Sequence, residues 1–305
     1  EHFFGTIIGA GSYYAPATLT RDNQPAEQEY QRPDFYYTDA ITDNAVAYLE
    51  EAIARKKPFF LYVAYTAAHW PLHAPEEQVR QYRGRFSAGW DVLRQERYQR
   101  MRQLGVINPA WQLSPRDPQV SAWEKEPHKQ WQERRMEVYA AQISRMDYGI
   151  GRIVRSLERH GQLENTLIVF QADNGGCHVE YAPDRRGAYL PETTRDGRPV
   201  RPGNLPDIMP GPEDTYQSYG RGWANLSNTP FRMFKQYAHQ GGIVTPLIVH
   251  WPQEIPRGGH IVHDVSHVID LAPTFLQVAQ VRESRLFENR RVLLSDGKSL
   301  LSVFR

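Results

Sequence analysis

One cysteine, Cys177, is all that the chain carries, so no disulfide can form within it. That absence leaves the compartment open, because chains of this size manage without disulfides in oxidising surroundings too. Long hydrophobic runs are also missing. No stretch approaches the roughly eighteen apolar residues of a membrane-spanning helix, so no span is expected. An excess of one charge is absent as well: 36 Lys and Arg face 35 Asp and Glu, a net charge of +1. Nucleic acid or an anionic membrane bound through a global basic field is thereby excluded. The opening EHFFGTIIGAGSYY has no basic start and no long apolar core, so it is not a signal peptide. It has no initiator Met either and begins in mid-pattern. No repeat or low-complexity tract stands out.

What is present fits a soluble globular chain. Its 305 residues, 40% hydrophobic and 23% charged, suffice for one large α/β domain or two modest ones. Three runs read as strands: Pro58 to Ala64, Thr166 to Ala172 and Thr245 to Trp251. Short, nearly continuous apolar runs suit strands covered on both faces of a parallel sheet. A helix is predicted from Thr38 to Arg55, ending in the basic Arg55-Lys56-Lys57. Met136, Tyr139, Ile143, Met146, Ile150, Ile153 and Leu157 recur at steps of three and four, which predicts one amphipathic helix stopped by Gly161. Asp270 to Val281 reads as a further packing helix. Helix followed by strand, repeatedly, argues a layered α/β fold with a largely parallel central sheet.

Two segments interrupt that rhythm and read as insertions into a single domain spanning 1–305. Residues from about 81 to 132, rich in Arg, Gln, Glu and Trp, read as a solvated helical insertion. Residues from about 181 to 228 are rich in Pro, Gly and Arg, and a loop that long is usually functional or disordered. Its aromatic residues Tyr181, Tyr189, Tyr216, Tyr219 and Trp223 suit stacking on sugar or aryl rings, and equally suit packing the loop onto the domain.

Three segments at strand ends have residue types that support chemistry. Asp173-Asn174-Gly175-Gly176 sets two hard oxygen donors, suited to calcium or magnesium, beside glycines that permit close backbone approach. The plainer reading is an Asn-Gly turn. His69, in AAHWPLHAP, is held off-helix by Pro71 and Pro75, and an imidazole there suits anion binding or general acid catalysis. Its plainer reading is a histidine bonded to its own loop. Lys235, near Gly241-Gly242, suits neutralising an oxyanion, with a surface lysine as the commoner case. Taken singly, each segment favours the plainer reading. His263, Asp264 and His267 read as the exposed start of the last helix rather than a transition-metal site.

Together and in this order, the segments resemble the sulfatase family, arylsulfatase type, of the alkaline-phosphatase-like superfamily. FFLYVAYTAAHWPLHAPEE resembles its His-x-Pro-Leu segment, and Asp-Asn-Gly-Gly after an apolar strand resembles its second pair of metal ligands. NTPFRMFKQYAHQGGIVTPLIVHWP is similar to its Pro-x-Arg-x-x-Lys stretch ending in Gly-Gly, and GTIIGAGSYYAPATLTRDN and DGKSLLSVF are similar to further family segments. The resemblance implies a sulfuric ester hydrolase acting on aryl or carbohydrate sulfates with one calcium ion and a formylglycine nucleophile. It implies Asp173 and Asn174 as metal ligands, and His69 and Lys235 as catalytic and sulfate-binding residues. It also implies export to the periplasm or the exterior. Oligomeric state is left open.

The departures are specific. No Cys/Ser-x-Pro-x-Arg occurs anywhere, and Cys177 in GGCHVEY is not followed by Pro and Arg. The family's Asp-Asp metal pair and Lys-Trp-His segment are absent, Gln240 stands where Glu is common, and Ser302 stands where Pro is common. These absences imply that the nucleophile segment lies outside this chain, an α/β fold incomplete at its N-terminus, and no turnover by the chain alone. The other readings are a non-catalytic binder of sulfated glycans and a phosphatase or phosphodiesterase of the same superfamily.

Overall fold

The computed structural model describes residues 1–9, 11–255 and 257–304. The chain opens with an antiparallel ribbon of β1 (Phe4–Thr6), β2 (Leu19–Arg21) and β3 (Gln24–Pro25). Helix α1 (Tyr37–Ala54) follows, then α2 (Glu76–Arg80), α3 (Gly89–Gln103) and the long α4 (Lys129–Arg159). Strand β4 (Ile168–Gln171) leads to the short parallel pair β5 (Arg201–Pro202) and β6 (Thr215–Tyr216), then to α5 (Gly220–Ser227) and α6 (Gln240–Ile243). Strand β7 (Leu247–His250), helix α7 (Leu271–Val278), the hairpin β8 (Leu286–Phe287) and β9 (Arg290–Arg291), and α8 (Leu301–Phe304) complete it. No helix among the described residues is long and apolar enough to cross a membrane.

The two predicted long helices form and end as their sequences suggest. At the end of α4, Gly161 adopts φ +65°, its N–H bonds Glu158 O, and the Gln162 N–H reaches Leu157 O. That pair of bonds is the Schellman stop, which a glycine satisfies without steric cost. Helix α1 makes the same two bonds through Lys56 (φ +52°) and Lys57, so a lysine takes the left-handed position there. The helices pack together because Gly149 of α4 has no side chain: a Cβ there would come within 2.4 Å of Thr42 Oγ1. Around that approach, Arg145 grips Asp39 with two bonds of 2.7 and 2.6 Å, Arg152 meets Asp43 at 2.7 Å, and the Ser156 hydroxyl bonds Glu50.

The 81–132 stretch is helical in α3 and mostly exposed, but it is not solvated throughout. Trp90 on α3 and Trp123 are buried, meet each other edge-on at 4.7 Å between centroids, and meet Trp223 of α5 edge-on or tilted at 5.4 and 5.7 Å. These rings anchor an apolar cluster with Leu72, Val138, Ala141 and Phe234. Average composition misled here, because a few tryptophans outweigh many charged residues in buried apolar area.

The sheet differs in detail too. β4 and β7 pair antiparallel, with Val169 opposite Val249 and Phe170 opposite Ile248, where a parallel relation was expected. Apolar runs report how strands are covered, not their direction. The first of the three predicted strands, 58–64, alternates exposed and partly covered residues as an extended segment does, but it has no strand partner among the described residues. Along it Phe60 and Tyr62 are 76% and 82% exposed, and Ile248 on β7 is 59% exposed. Phe60 finds one ring neighbour, Phe275 of α7. His267 caps the turn into α7, accepting from the Ile269 N–H, while His263 and Asp264 lie exposed in the irregular stretch before it. The described residues hold no group of three or more His, Cys, Asp or Glu able to bind a metal.

Candidate active site

The loop after β4 and the loop before β7 interlock at their glycines. A Cβ on Gly175 would sit 1.8 Å from Gly241 O, and one on Gly241 would sit 2.2 Å from Met233 O. Gly176 and Gly242 would clash in the same way, with the Tyr219 hydroxyl and with Tyr237 O. None of these four glycines has positive φ, so they are required for close approach and not for a left-handed turn. With the side chains gone, backbone bonds backbone: Gly175 N–H to Gly242 O at 3.0 Å, and Lys235 N–H to Gly176 O at 3.1 Å. Buried Asn228 locks the pair. Its Oδ1 accepts from Gly176 N–H at 2.7 Å, and its Nδ2 donates to Met233 O at 2.9 Å. Lys235 is thus fixed next to the Asp173-Asn174 turn, between Met233 and Gln236, which take the unfavourable φ values of +67° and +81°.

His69 approaches from the first apolar segment. Its N–H closes a turn onto Thr66 O, and the Tyr13 hydroxyl holds its carbonyl at 2.8 Å. The ring's Nδ1 lies 2.7 Å from Trp70 O, so Nδ1 carries the proton it donates and Nε2 is left as the acceptor. Burial lowers the His69 pKa; the bond to Trp70 O raises it, nearby Lys235 lowers it further, and Asp173 raises it. His69 therefore lies within electrostatic reach of both residues, and at neutral pH it is the neutral imidazole. His73, four residues on, is wholly structural. Its Nε2–H donates to Thr215 O at 2.6 Å, its Nδ1 accepts from the Tyr13 N–H, and burial drives its pKa down to about 4.

A cleft of about 340 Å³ opens where these loops meet, lined by Gly9, His69, Trp70, Cys177, Val179, Arg185, Tyr189, Lys235 and Gln236. His69 and Lys235 share it. Asp173 and Asn174 lie on the adjoining turn and not in its wall. The Asn174 amide donates to Gly175 O at 2.9 Å, which leaves Oδ1 as the atom able to coordinate a cation, and Asp173 is exposed. Asp173 and Asn174 thus match calcium in donor chemistry but supply two of the roughly six to eight oxygens it takes.

The long loop divides by role. Tyr181, Tyr216, Tyr219 and Trp223 are buried and pack it down, and Tyr189 alone of the five faces the cleft. Its base is tied by Arg135, which stacks over Trp131 and donates to Ser218 O, Gln132 and Glu180 at 2.7 to 3.0 Å. Glu180 also accepts from the Arg221 N–H and from Asn204. Sequence reasoning missed Asn228, Trp70 and Arg185. All three stand inside segments it had singled out, but Arg185 sits in an Asp-Arg-Arg run with no spacing to mark it.

The sulfatase family profile matches residues 3–281. An uncharacterized sulfatase of Schizosaccharomyces pombe is 30% identical over 99% of this chain and 56% of its own length. An arylsulfatase of Klebsiella aerogenes is 32% identical over 98% of the chain and 61% of its own length. The chain thus spans about 56–61% of these relatives. Among solved structures, Ps i-CgsB in complex with a neocarrahexaose aligns over the whole chain and 49% of its own, at 21% identity and a TM-score of 0.58. A protein in complex with its substrate D-glucosamine-2-N,6-O-disulfate aligns over the whole chain and 58% of its own, at 18% identity and a TM-score of 0.50. The fold these share is the alkaline-phosphatase-like α/β fold. With the profile matched along nearly its full length, the chain belongs to the sulfatase family.

Proposed function

We propose that this chain forms the sulfate-binding part of a sulfuric ester hydrolase, with Lys235 and His69 on the ester and Asp173 and Asn174 on a calcium ion. The reading rests on the glycine interlock, which sets Lys235 beside the Asp173-Asn174 turn and in one cleft with His69. Lys235 would neutralise a sulfate oxygen and offset charge developing there, the use a fixed cation has in such sites. His69 would move a proton at Nε2, because Nδ1 is committed to Trp70 O. Its lowered pKa leaves Nε2 unprotonated at neutral pH, so it would first accept a proton there, as the nucleophile attacks, and then pass that proton to the departing alkoxide. A calcium ion at Asp173 and Asn174 would polarise the sulfate oxygens, with its remaining oxygen ligands coming from outside the described residues.

The nucleophile, a formylglycine, is placed outside this chain, since no Cys/Ser-x-Pro-x-Arg occurs in it. Cys177 faces the cleft but lacks the following Pro and Arg. The chain alone is therefore expected to bind sulfate esters without turning them over. Among substrates, carbohydrate sulfates are favoured over simple aryl sulfates, because aromatic Trp70 and Tyr189 line the cleft and two structural neighbours hold carbohydrate ligands. Calorimetric titration with p-nitrophenyl sulfate in calcium buffer tests this. Lys235→Ala should weaken binding at least tenfold, and Asp173→Asn should abolish its dependence on calcium. Absence of binding by the unaltered chain would sink the reading. Turnover above background that disappears in Lys235→Ala would sink the placement of the nucleophile.

A further inference from the structure

The cleft holds a second cation that the proposed reaction leaves unused. Arg185 lines it together with Lys235, and no carboxylate does: its other polar side chains are His69, Cys177, Tyr189 and Gln236. The Arg185 guanidinium is stacked, its carbon 5.2 Å from the ring centre of Trp70 and 5.1 Å from that of Tyr181. Trp70 in turn is pinned edge-on to Tyr181, Tyr189 and Tyr216. Stacking occupies the face of a guanidinium and leaves its in-plane N–H donors available, the arrangement that suits bidentate grip of an oxyanion. The aromatic support also narrows the conformations of an otherwise exposed, flexible side chain.

Charge decides what that donor set fits. A sulfate monoester carries one negative charge, which Lys235 and a calcium ion held by Asp173 and Asn174 would already meet, so a further cation in a cleft lined by no carboxylate favours a ligand with a second negative charge. We propose that Arg185 is a specificity residue that grips a second anionic substituent, sulfate or carboxylate, on the sugar bearing the scissile sulfate. The inference rests on the sulfate-binding reading of Lys235. Trp70 and Tyr189 line the same cleft as the two cations, so the sugar ring would lie against them.

Two probes that differ by one sulfate separate the inference from the reading beneath it. D-glucosamine-6-O-sulfate and D-glucosamine-2-N,6-O-disulfate are titrated into the full chain in calcium buffer. The unaltered chain should favour the disulfate about tenfold. Arg185→Gln should remove that preference, Arg185→Lys should restore most of it, and Lys235→Ala should weaken both probes. A ratio unchanged in Arg185→Gln, or no preference in the unaltered chain, would overturn the inference while Lys235-dependent binding still upheld the sulfate site. Failure of both probes to bind would overturn the sulfate site and the inference together.

Discussion

Two regions of the molecule are built to opposite standards. Where β4 and β7 run into their loops, four glycines, Asn228 and Lys235 are fitted so closely that an added methyl group has no room. By contrast, the extended 58–64 segment and Ile248 of β7 leave large apolar side chains in solvent. The loops hold backbone polar groups paired to one another, and the extended segment finds no strand partner among the described residues. Position-specific chemistry demands fixed atoms, and fixed atoms demand close packing. An apolar face demands only cover, and any apolar cover will do. The difference between the two regions is therefore a difference in how much a single substitution should cost.

Gly175→Ala should have the largest effect. Its Cβ would meet Gly241 O at 1.8 Å, and neither backbone can retreat without breaking the bonds between Gly175 and Gly242 and between Gly176 and Lys235. A loss of about 4 kcal/mol is expected, at the upper end for overpacking because backbone meets backbone. Urea unfolding checks it. A loss under about 1 kcal/mol, against the error of such extrapolations, would mean that the interlock is looser in solution than drawn.

His73 should come next, through pH. It is fully buried and neutral, with a folded pKa of about 4 against about 6.5 when unfolded. The unfolded chain thus takes up the proton first as pH falls. Stability is intact above pH 6.5 and declines between 6.5 and 4, by about 3 kcal/mol at pH 4. His69 acts in the same direction. Chemical denaturation at stepped pH should show the decline, and His73→Gln should flatten most of it, at some cost in stability at neutral pH. An equal slope in the variant would assign the acid sensitivity elsewhere.

Arg135→Ala should follow, at about 2 kcal/mol. The guanidinium is buried and makes three charge-assisted bonds, but its partner Glu180 is half exposed and can be rehydrated when left alone. The damage should be local. The base of the 181–228 loop would loosen, so the Arg185-dependent preference for a doubly charged ligand should shrink more than sulfate binding through Lys235. Hydrogen exchange at Ser218 and Arg221 reads the loosening directly.

How far this could be read in the sequence follows the same division. The two long helices were legible because their apolar spacing and stop signals are local, down to Gly161 and the Arg55-Lys56-Lys57 end. His69 and Lys235 were legible as candidates, and the cleft brings the two together. What stayed hidden depends on distant pairing. Nothing in TLIVFQA tells that it meets TPLIVHW antiparallel, and nothing in the charged 81–132 stretch tells that Trp90 and Trp123 close on Trp223. Asn228 was hidden for a related reason, since its clamp joins loops 52 residues apart. Glycine was informative in the opposite way to the usual: its value at 175, 176, 241 and 242 lies in the missing Cβ, which a turn-based reading of Asn-Gly overlooks.

The smallest stability effect belongs to the apolar face, and it sharpens the comparison most. Tyr62 and Phe60 stand 82% and 76% exposed on the same side of the extended segment, with Ile248 exposed on β7. Side chains so placed contribute little to folding, so Tyr62→Thr should change the unfolding free energy by less than about 0.5 kcal/mol. Association is another matter. Exposed aromatic and β-branched residues beside unpaired extended backbone are where chains stick to one another. Light scattering against concentration should therefore fall clearly in Tyr62→Thr, and further in the pair with Phe60→Ser, while the thermal midpoint stays put. A midpoint lowered by more than about 4 °C, roughly 2–3 kcal/mol in a chain of this size, would show instead that these rings are covered in solution. Their exposure would then be replaced by an interface, and the two regions would differ in partner and not in precision of fit.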